Sequence, residues 1–255
     1  MNSENTNSIG VIIQARLGST RLPNKILLPF YKGQNILDIL ISKLKSIDNA
    51  KIILATTDLD RDDELVNFAN KHQILCYRGS EQDVLNRFIA AAEHYDINKI
   101  IRVCSDNPFL DTDGLKDLIS NAIKSNCDYM GYTINGLPSI KTHFGFWAEY
   151  VTLDALKKVD FMPYEKSVHE HVTIAVYGNP QKFKCQWITC PDFLQGRNDI
   201  RLTIDTIEDF INAQKIYSEL KDKYSSISLE NIVQYLDAHP EIKQSMKSII
   251  TQNSK

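Results

Sequence analysis

A stretch of basic and small polar residues follows the first apolar run of the chain. This segment, Gln14 to Lys25, reads Q-A-R-L-G-S-T-R-L-P-N-K. It combines three cations within ten residues with a glycine and two hydroxyl residues, namely Arg16, Arg21, Lys25, Gly18, Ser19 and Thr20. Fixed cations and backbone N–H groups, which a glycine brings close to a ligand, are what a triphosphate requires. The segment therefore predicts phosphate binding. A solvated basic loop is the alternative, since neither G-x-x-x-x-G-K-[ST] nor G-x-G-x-x-G is present.

Two aspartates have positions that suit a metal ion. Asp106 directly follows a predicted strand, and Asp205 lies where the strand-like segment 201–204 meets a long predicted helix. If both lie at strand ends, their carboxylates converge and can hold Mg²⁺, which prefers oxygen ligands and bridges phosphates. Each residue also has a structural alternative. Asp106 precedes Asn-Pro and suits a turn, whereas Asp205 suits a helix N-cap.

The elements that position these residues alternate regularly in the first half of the chain. Buried strands are predicted over 9–14, 51–57, 74–77 and 99–104, and amphipathic helices over 36–47, 62–71, 82–94 and 112–124, the last capped by Asp111 or Thr112. This alternation predicts a parallel sheet covered by helices on both faces. Ligands bind at the carboxyl ends of the strands in such sheets.

The second half is less regular. Extended segments are predicted over 128–133, 144–150 and 183–188, a short helix over 151–159, and a long helix over 207–220. Two further helices follow, the last from about Pro240. We interpret residues 1–255 as one domain, with an acceptor-binding or dimerisation subdomain inserted at about 128–190.

Composition excludes several classes of protein. The 255 residues carry a net charge of −3, which lacks the basic excess of a nucleic-acid binder. No stretch approaches the roughly 20 apolar residues that cross a bilayer, and residues 1–8 do not resemble a signal peptide. The five scattered cysteines suit free thiols in a reducing compartment. We therefore expect a soluble cytoplasmic protein without nucleic-acid or membrane partners.

The segment "VIIQARLGSTRLPNKIL" resembles the signature of the cytidylyltransferase family, which includes the CMP-ketodeoxyoctonate and CMP-sialic acid synthetases. The resemblance is closest to the branch that serves spore-coat polysaccharide biosynthesis. Five further similar blocks follow in order: "ATTDLDRDDEL" (55–65), "YRGSEQDVLNRF" (77–88), "RVCSDNPFLD" (102–111), "HEHVT" (169–173) and "RLTIDTIEDF" (201–210). Together they cover residues 9 to 215.

This resemblance implies a fold and an activity. The implied fold is α/β, a Rossmann-like, GT-A-like nucleotidyltransferase of three layers with a mostly parallel central sheet and a small inserted β arm. The implied reaction is Mg²⁺-dependent transfer of CMP from CTP to a sugar, sugar-acid or small phosphate or phosphonate acceptor, with release of pyrophosphate. The expected role is surface polysaccharide biosynthesis, and a homodimer is expected.

The resemblance also extends to site residues. The catalytic residues predicted are Arg16, Lys25 and Asp106, and the metal ligands are Asp106 and Asp205. The predicted nucleotide-binding residues are Gln14, Ala15, Arg16, Gly18, Ser19, Lys25, Arg78, Ser80, Asp83, Arg87 and Ser105. The predicted acceptor-binding residues are His143, Glu149 and His169.

Some of these positions have alternatives. Arg87 is expected either to return toward the phosphates or to pair with Asp83 one helical turn away. Arg102, inside an apolar strand, needs a partner and belongs either to a structural ion pair or to the site. The aromatic stretch 139–156 is either a core or dimer-arm strand or an acceptor pocket.

Two residues depart from the family pattern. Ser105 stands where relatives often have glycine, and His169 stands where they often have arginine. The block His169-Glu170-His171 is not H-E-x-x-H, and we expect no zinc there.

Two other functions compete with this interpretation. A glycosyltransferase that uses a nucleotide sugar would place a D-x-D pair on a metal, and "DLDRDD" (58–63) contains that spacing. A non-catalytic nucleotide-binding module would be favoured if the basic loop or an aspartate were absent, and both are present.

Overall fold

A computed structural model of the protein describes residues 9–163 and 166–252, without the side chains of residues 166 and 167. The prediction made for residues 1–8 lies outside the described residues. The strands are β1 (Ile9–Gln14), β2 (Pro29–Tyr31), β3 (Gln34–Asn35), β4 (Ala50–Thr57), β5 (Leu75–Gly79), β6 (Lys99–Cys104), β7 (Tyr129–Ile134), β8 (Leu137–Pro138), β9 (Glu149–Thr152) and β10 (Cys185–Thr189). The helices are α1 (Ile36–Leu44), α2 (Asp63–Lys71), α3 (Val84–His94), α4 (Thr112–Lys124), α5 (Leu153–Asp160), α6 (Lys166–Glu170), α7 (Ile174–Tyr177), α8 (Ile207–Lys223), α9 (Leu229–Ala238) and α10 (Pro240–Gln252).

One eight-stranded sheet organises the chain. Its order is β10-β7-β9-β6-β1-β4-β5, and β8 pairs with β7 at the side. The strands β4, β5 and β6 run parallel to β1 or to its neighbour, while β9 is antiparallel to both β6 and β7. The prediction of an α/β fold with a mostly parallel central sheet is therefore confirmed.

The two faces of this sheet carry separate apolar cores. Along β1, Val11 and Ile13 pack into one core, and Ile12 packs into the other, because successive side chains of a strand point to opposite faces. Helices α1, α2, α4 and α8 cover the first face, whereas α3, α5 and α7 cover the second. The burial of both faces explains why β1, β4 and β6 are almost continuously apolar.

The ends of the central strands bring the predicted site segments together. Gln14, the last residue of β1, pairs in register with Ala55 on one side and Cys104 on the other. The basic segment after β1 and the segment after β6, which begins with Ser105 and Asp106, therefore leave the sheet at one edge.

Two local predictions are corrected by the structure. Residues 201–204 form no strand, although the backbone N–H groups of Leu202 and Thr203 donate to the carbonyl of His143. The N-cap of α8 is Thr206, which forms a reciprocal pair of hydrogen bonds with Asp209, so Asp205 does not cap this helix. Of the two residues predicted to cap α4, Asp111 or Thr112, Asp111 is the N-cap.

The segment 128–190 contributes to the main sheet. Its strands β7, β9 and β10 pair there, whereas the extended backbone predicted over 144–150 becomes strand only from Glu149. The helix predicted over 151–159 begins at Leu153, because Val151 and Thr152 still pair with β6. Within the described residues, no helix is long and apolar enough to cross a membrane.

Candidate active site

Lys25 lies between the carboxylates of Asp106 and Asp205. Its ammonium nitrogen is 2.6 Å from Asp106 Oδ2 and 3.8 Å from Asp205 Oδ1, and it also donates to the carbonyl of Ile204. Arg21, on the same segment, is 2.9 Å from Asp205 Oδ1. The two aspartates thus lie together with Arg21 and Lys25 of the basic segment at the carboxyl edge of the sheet.

A buried ion pair supports Asp205 through hydrogen bonds. The side chain of Arg201 is fully buried, and its Nε and Nη2 donate to Asp209 at 2.7 and 2.9 Å. Nη2 also donates to Asp205 Oδ2 at 3.0 Å, while Asp209 accepts the backbone N–H of Asp205. This network fixes both the backbone and the carboxylate of Asp205.

His143 belongs to this supporting network. Its Nδ1 is 2.7 Å from Nη1 of Arg201, a distance that suits a neutral imidazole accepting an N–H. His143 therefore contacts Arg201, the residue that positions Asp205.

The basic segment is anchored by a buried aspartate. Asp62 is fully buried; it accepts the backbone N–H of Leu17 at 2.8 Å and the hydroxyl of Thr57. Because a carboxylate bonded in this way ties two loops together, the backbone after β1 is held close to the end of β4. In the same segment, the backbone N–H of Ala15 donates to the carbonyl of Ala55, and the backbone N–H of Ser19 donates to the carbonyl of Leu17.

A carboxylate lies among the exposed cations of the segment. Glu81 accepts from Arg61 and is 3.6 Å from Arg16. The guanidinium of Arg61 also covers Gly18, where an added Cβ would lie 2.7 Å from it. These three charged side chains are all partly exposed, so the arrangement is open to exchange with an anion from solution.

Arg87 is buried beneath this region. It is 1% exposed, and its Nη1 donates to the carbonyl of Ser80 at 2.5 Å. Within the described residues its Nε and Nη2 have no hydrogen-bond partner. Burial, together with the nearby positive charge of Arg16, lowers the pKa of Arg87. The predicted alternative, a side-chain pair of Arg87 with Asp83, is not formed in the structure.

Asp83 instead connects α3 to the segment of His169. Its Oδ1 accepts the N–H of Asn86, which caps α3, and is 2.9 Å from Nδ1 of His169. The hydroxyl of Ser80 accepts the N–H of Asp83. His169 is thus placed beside the segment after β5.

Arg78 uses its guanidinium to fasten neighbouring loops. Nε and Nη2 donate to the carbonyls of Thr57 and Leu59, each at 2.9 Å, and Nη1 is 2.6 Å from Asp63. These contacts stabilise the turn after β4.

Arg102 forms a buried ion pair with Glu149, the first of its two predicted alternatives. Glu149 is 2% exposed; it bonds Arg102 at 2.5 Å and accepts the hydroxyls of Tyr129 and Thr173 at 2.7 and 2.9 Å. Although burial disfavours its charge, the nearby Cys104 and Glu149 hold the pKa of Arg102 above its ordinary value. Gln14 accepts a further bond from Arg102 at 3.3 Å. The Glu149 carboxylate is therefore occupied by protein groups.

A cavity of about 660 Å³ opens beside the two aspartates. Asp106 and Asp205 line one part of it, and the buried residue Ser105 directly precedes the first aspartate. The other lining residues are Arg102, Cys104, Asn107, Ser139, Ile140, Lys141, Thr142, Phe144, Gly145, Phe146, Trp147, His171, Ile174, Tyr177 and Thr203. The aromatic stretch thus contributes both to the core, where Trp147 stacks on Tyr132 at 4.7 Å, and to the cavity wall.

The comparison with known families identifies the family to which this chain belongs. A family model described as cytidylyltransferase matches residues 10–253. The chain belongs to the cytidylyltransferase family. It is therefore a nucleotidyltransferase, as the resemblance implied.

Individual relatives agree with this assignment. The cytidylyltransferase described here is 39% identical over 235 residues to the protein MJ1063 of Methanocaldococcus jannaschii, covering 91% of each chain. It is 32% identical over 242 residues to the spore coat polysaccharide biosynthesis protein SpsF of Bacillus subtilis, covering 92% of this chain and 96% of that one. A solved cytidylyltransferase from Leptospira borgpetersenii serovar Hardjo-bovis superposes with a TM-score of 0.79 at 29% identity, covering 93% and 97% of the two chains.

Two aspartates of the block 58–63 have structural partners in this cytidylyltransferase. Asp62 accepts the backbone N–H of Leu17 in the basic segment, and Asp63 pairs with Arg78. These two residues therefore stabilise loops at the end of β4.

Sequence reasoning missed several residues of the site. Arg201 and Asp209 support Asp205, and neither is among the predicted site residues. An arginine four residues before a candidate ligand was the available signal. Lys141 and His171, which line the cavity, carried no distinguishing spacing.

Lys43 of α1 anchors the loop that follows Asp106. Its ammonium group donates to the carbonyls of Pro108 and Leu110, each at 2.9 Å. Burial lowers the pKa of Lys43 to about 8.

We expect the stability of the native protein, relative to Lys43→Met, to increase as the pH rises from about 8 to 10.5. In this window the unfolded chain keeps the lysine proton and the folded chain releases it, so rising pH favours the folded state. At about 1.4 kcal/mol per pH unit, the change amounts to at most about 3 kcal/mol. Urea unfolding of both proteins below and across this window measures it, and a constant difference contradicts it.

Proposed function

We propose that this cytidylyltransferase transfers CMP from CTP to a sugar-like or small phosphate acceptor, with a divalent cation, Mg²⁺, and with release of pyrophosphate. The observation that carries the proposal is the convergence of Asp106 and Asp205 on Lys25 at the carboxyl edge of the sheet. A role in surface polysaccharide biosynthesis is proposed from the similarity to SpsF. A cytoplasmic homodimer remains part of this proposal.

The two aspartates fit magnesium. Mg²⁺ is commonly bound by one or two carboxylates together with substrate phosphates and water. The ammonium group of Lys25 between the carboxylates indicates that a positive charge is favourable there. Within the described residues no group of three His, Cys, Asp or Glu side chains could hold a metal, so substrate oxygens would complete the ligand set. When bound, the ion would neutralise charge on the triphosphate and the departing pyrophosphate.

The residues of the basic segment would bind the nucleotide. Arg16 and Lys25 would hold phosphate oxygens, and the anion would replace the contacts that Glu81 and Asp106 make with them. Arg87 would add its Nε and Nη2 donors, which have no protein partner in the described part of the chain. In the reaction, an acceptor oxygen forms a bond to the α-phosphorus while the bond to the β-phosphate breaks, and positioning with charge neutralisation supplies most of the acceleration.

A nucleotide screen tests this proposal without knowledge of the acceptor. We expect CTP with Mg²⁺ to raise the melting temperature by roughly 5–10 °C at 100 times Kd, and UTP, ATP and GTP to raise it less. Omitting Mg²⁺ from the CTP sample should reduce the shift. A shift with nucleotide sugars and none with triphosphates would favour the glycosyltransferase instead, and no shift with any nucleotide would contradict both.

A further inference from the structure

Two buried oxygen atoms in the cavity have no hydrogen-bond partner among the described residues. They are Oδ1 of Asn107 and Oγ1 of Thr203. Asn107 is only 7% exposed, and both residues line the cavity that contains the two aspartates. Because an unpaired buried polar group typically costs about 1–3 kcal/mol, two of them on residues that line one cavity point to a ligand that completes their bonding.

A glycine lies between the side chains of these two residues. Gly145 has φ +67°, and an added Cβ would lie 3.0 Å from Asn107 Oδ1 and 3.3 Å from Cγ2 of Thr203. Any other residue would therefore be strained, and its Cβ would press on both side chains. Glycine keeps this position of the cavity wall free of side-chain atoms.

The chemistry of this gap selects a neutral hydroxyl. An amide oxygen accepts a hydrogen bond, whereas a threonine hydroxyl both donates and accepts. An ionised phosphate or carboxylate oxygen has no proton to donate and would meet the lone pairs of Asn107 Oδ1. A hydroxyl group can donate to Asn107 and exchange a second bond with Thr203.

The position of the pair favours the acceptor over the nucleotide ribose. Asn107 directly follows Asp106, and Thr203 precedes Asp205 by two residues, so both lie next to the proposed centre of reaction. The cavity is built from the end of β6, the segment that follows it, and residues of 139–147, 171–177 and 203–205. Arg16 and Arg87 belong to segments that follow β1 and β5, on the other side of β6 in the sheet order, and neither lines this cavity.

We infer that Asn107 and Thr203 bind a hydroxyl group of the acceptor and select a polyhydroxylated, sugar-like molecule. This inference rests on the proposed function, because it assigns the acceptor part of the same site.

The test uses isosteric variants that keep volume and remove hydrogen bonding. Native protein, Asn107→Leu and Thr203→Val are assayed for pyrophosphate release from CTP with Mg²⁺ and a panel of monosaccharide phosphates, monosaccharide acids and their monodeoxy analogues. We expect one hydroxyl group of the acceptor to contribute to binding. The analogue that lacks this hydroxyl should have an approximately 10-fold higher KM than the parent acceptor in the native protein. Each variant should raise KM for the parent acceptor by a similar factor and lose the discrimination against that analogue.

Stability provides a readout that separates binding from folding. Removing an unpaired buried polar group should leave the melting temperature unchanged or raise it, so weaker acceptor use in these variants cannot be attributed to unfolding. Thr56→Val is the matched control, because Thr56 Oγ1 is also buried and lacks a partner among the described residues but lies in β4. It should leave the acceptor KM unchanged.

Three outcomes overturn the inference. The first is an unchanged acceptor KM and unchanged discrimination in both variants. The second is loss of discrimination between CTP and its 2′- or 3′-deoxy forms, which would assign the pair to the ribose. The third is the absence of pyrophosphate release by the native protein with every member of the panel. If CTP with Mg²⁺ still stabilises the protein in that case, the nucleotide part of the proposed function stands, whereas loss of that effect would refute the proposed function itself.

Discussion

Asp106→Asn is expected to reduce nucleotidyl transfer at least about 100-fold, the typical loss when one preorganised electrostatic contact of a reaction is removed. Asparagine keeps the shape of the side chain but removes the charge that faces Lys25 at 2.6 Å and that would hold Mg²⁺. Both the position of the cation and the charge balance around the phosphates would change. No comparable loss of stability is expected, because Lys25 retains the carbonyl of Ile204 and the carboxylate of Asp205.

Two measurements check this prediction. Pyrophosphate release with a productive acceptor gives the loss in turnover, and the melting temperature with CTP shows whether the effect of Mg²⁺ disappears. Asp222→Asn is a control of identical chemistry, since Asp222 forms an exposed pair with Lys32 outside the site. Activity of Asp106→Asn above about a tenth of the native value would contradict an essential ligand, because such losses are 100-fold or more.

Glu149→Gln is expected to destabilise the protein by about 3–5 kcal/mol, the usual result of removing one charge of a buried ion pair. Glutamine can still meet Tyr129 and Thr173, but it leaves the guanidinium of Arg102 charged and buried. The buried positive charge of Arg102, between β6 and β9, would therefore no longer be neutralised. For the protein that remains folded, we expect little change in the acceptor KM.

This variant decides between two roles of Glu149. Urea unfolding measures the loss of stability, and the double variant Arg102→Met/Glu149→Gln should recover part of it, because no charge then remains buried. A raised acceptor KM with unchanged stability would instead support the acceptor contact predicted from the sequence. The exposed pair of Glu93 and Lys157 offers a control, since Glu93→Gln should change stability by less than about 1 kcal/mol.

The buried network behind Asp205 has a related consequence. Arg201 connects Asp205, Asp209 and His143, so the proposed ligand Asp205 is oriented by hydrogen bonds from its own chain. Preorganised sites depend on such support, because a displacement of about 1 Å can cost 100-fold in rate. The position of Asp205 is thus held by the capping-box residue Asp209 and by the ion pair with Arg201 together.

The sequence alone determined the central sheet and the place of the site. Apolar strands alternating with amphipathic helices permit few arrangements, and the carboxyl ends of parallel strands meet at one edge. Gln14, Ala55 and Cys104 are consequently in register, and the segments that follow β1 and β6 bring Lys25 and Asp106 together. Local periodicity and strand order are enough for this step.

Only the tertiary structure decided which polar side chains are used by the protein and which remain for a ligand. Glu149 pairs with Arg102 across antiparallel strands, and Thr206 rather than Asp205 caps α8. Asn107 and Thr203, whose side-chain oxygens have no partner among the described residues, line one cavity only because distant segments meet beside Gly145. The physical reason is that hydrogen bonds and ion pairs act over a few ångströms, so long-range packing selects the partners, and residue type by itself cannot.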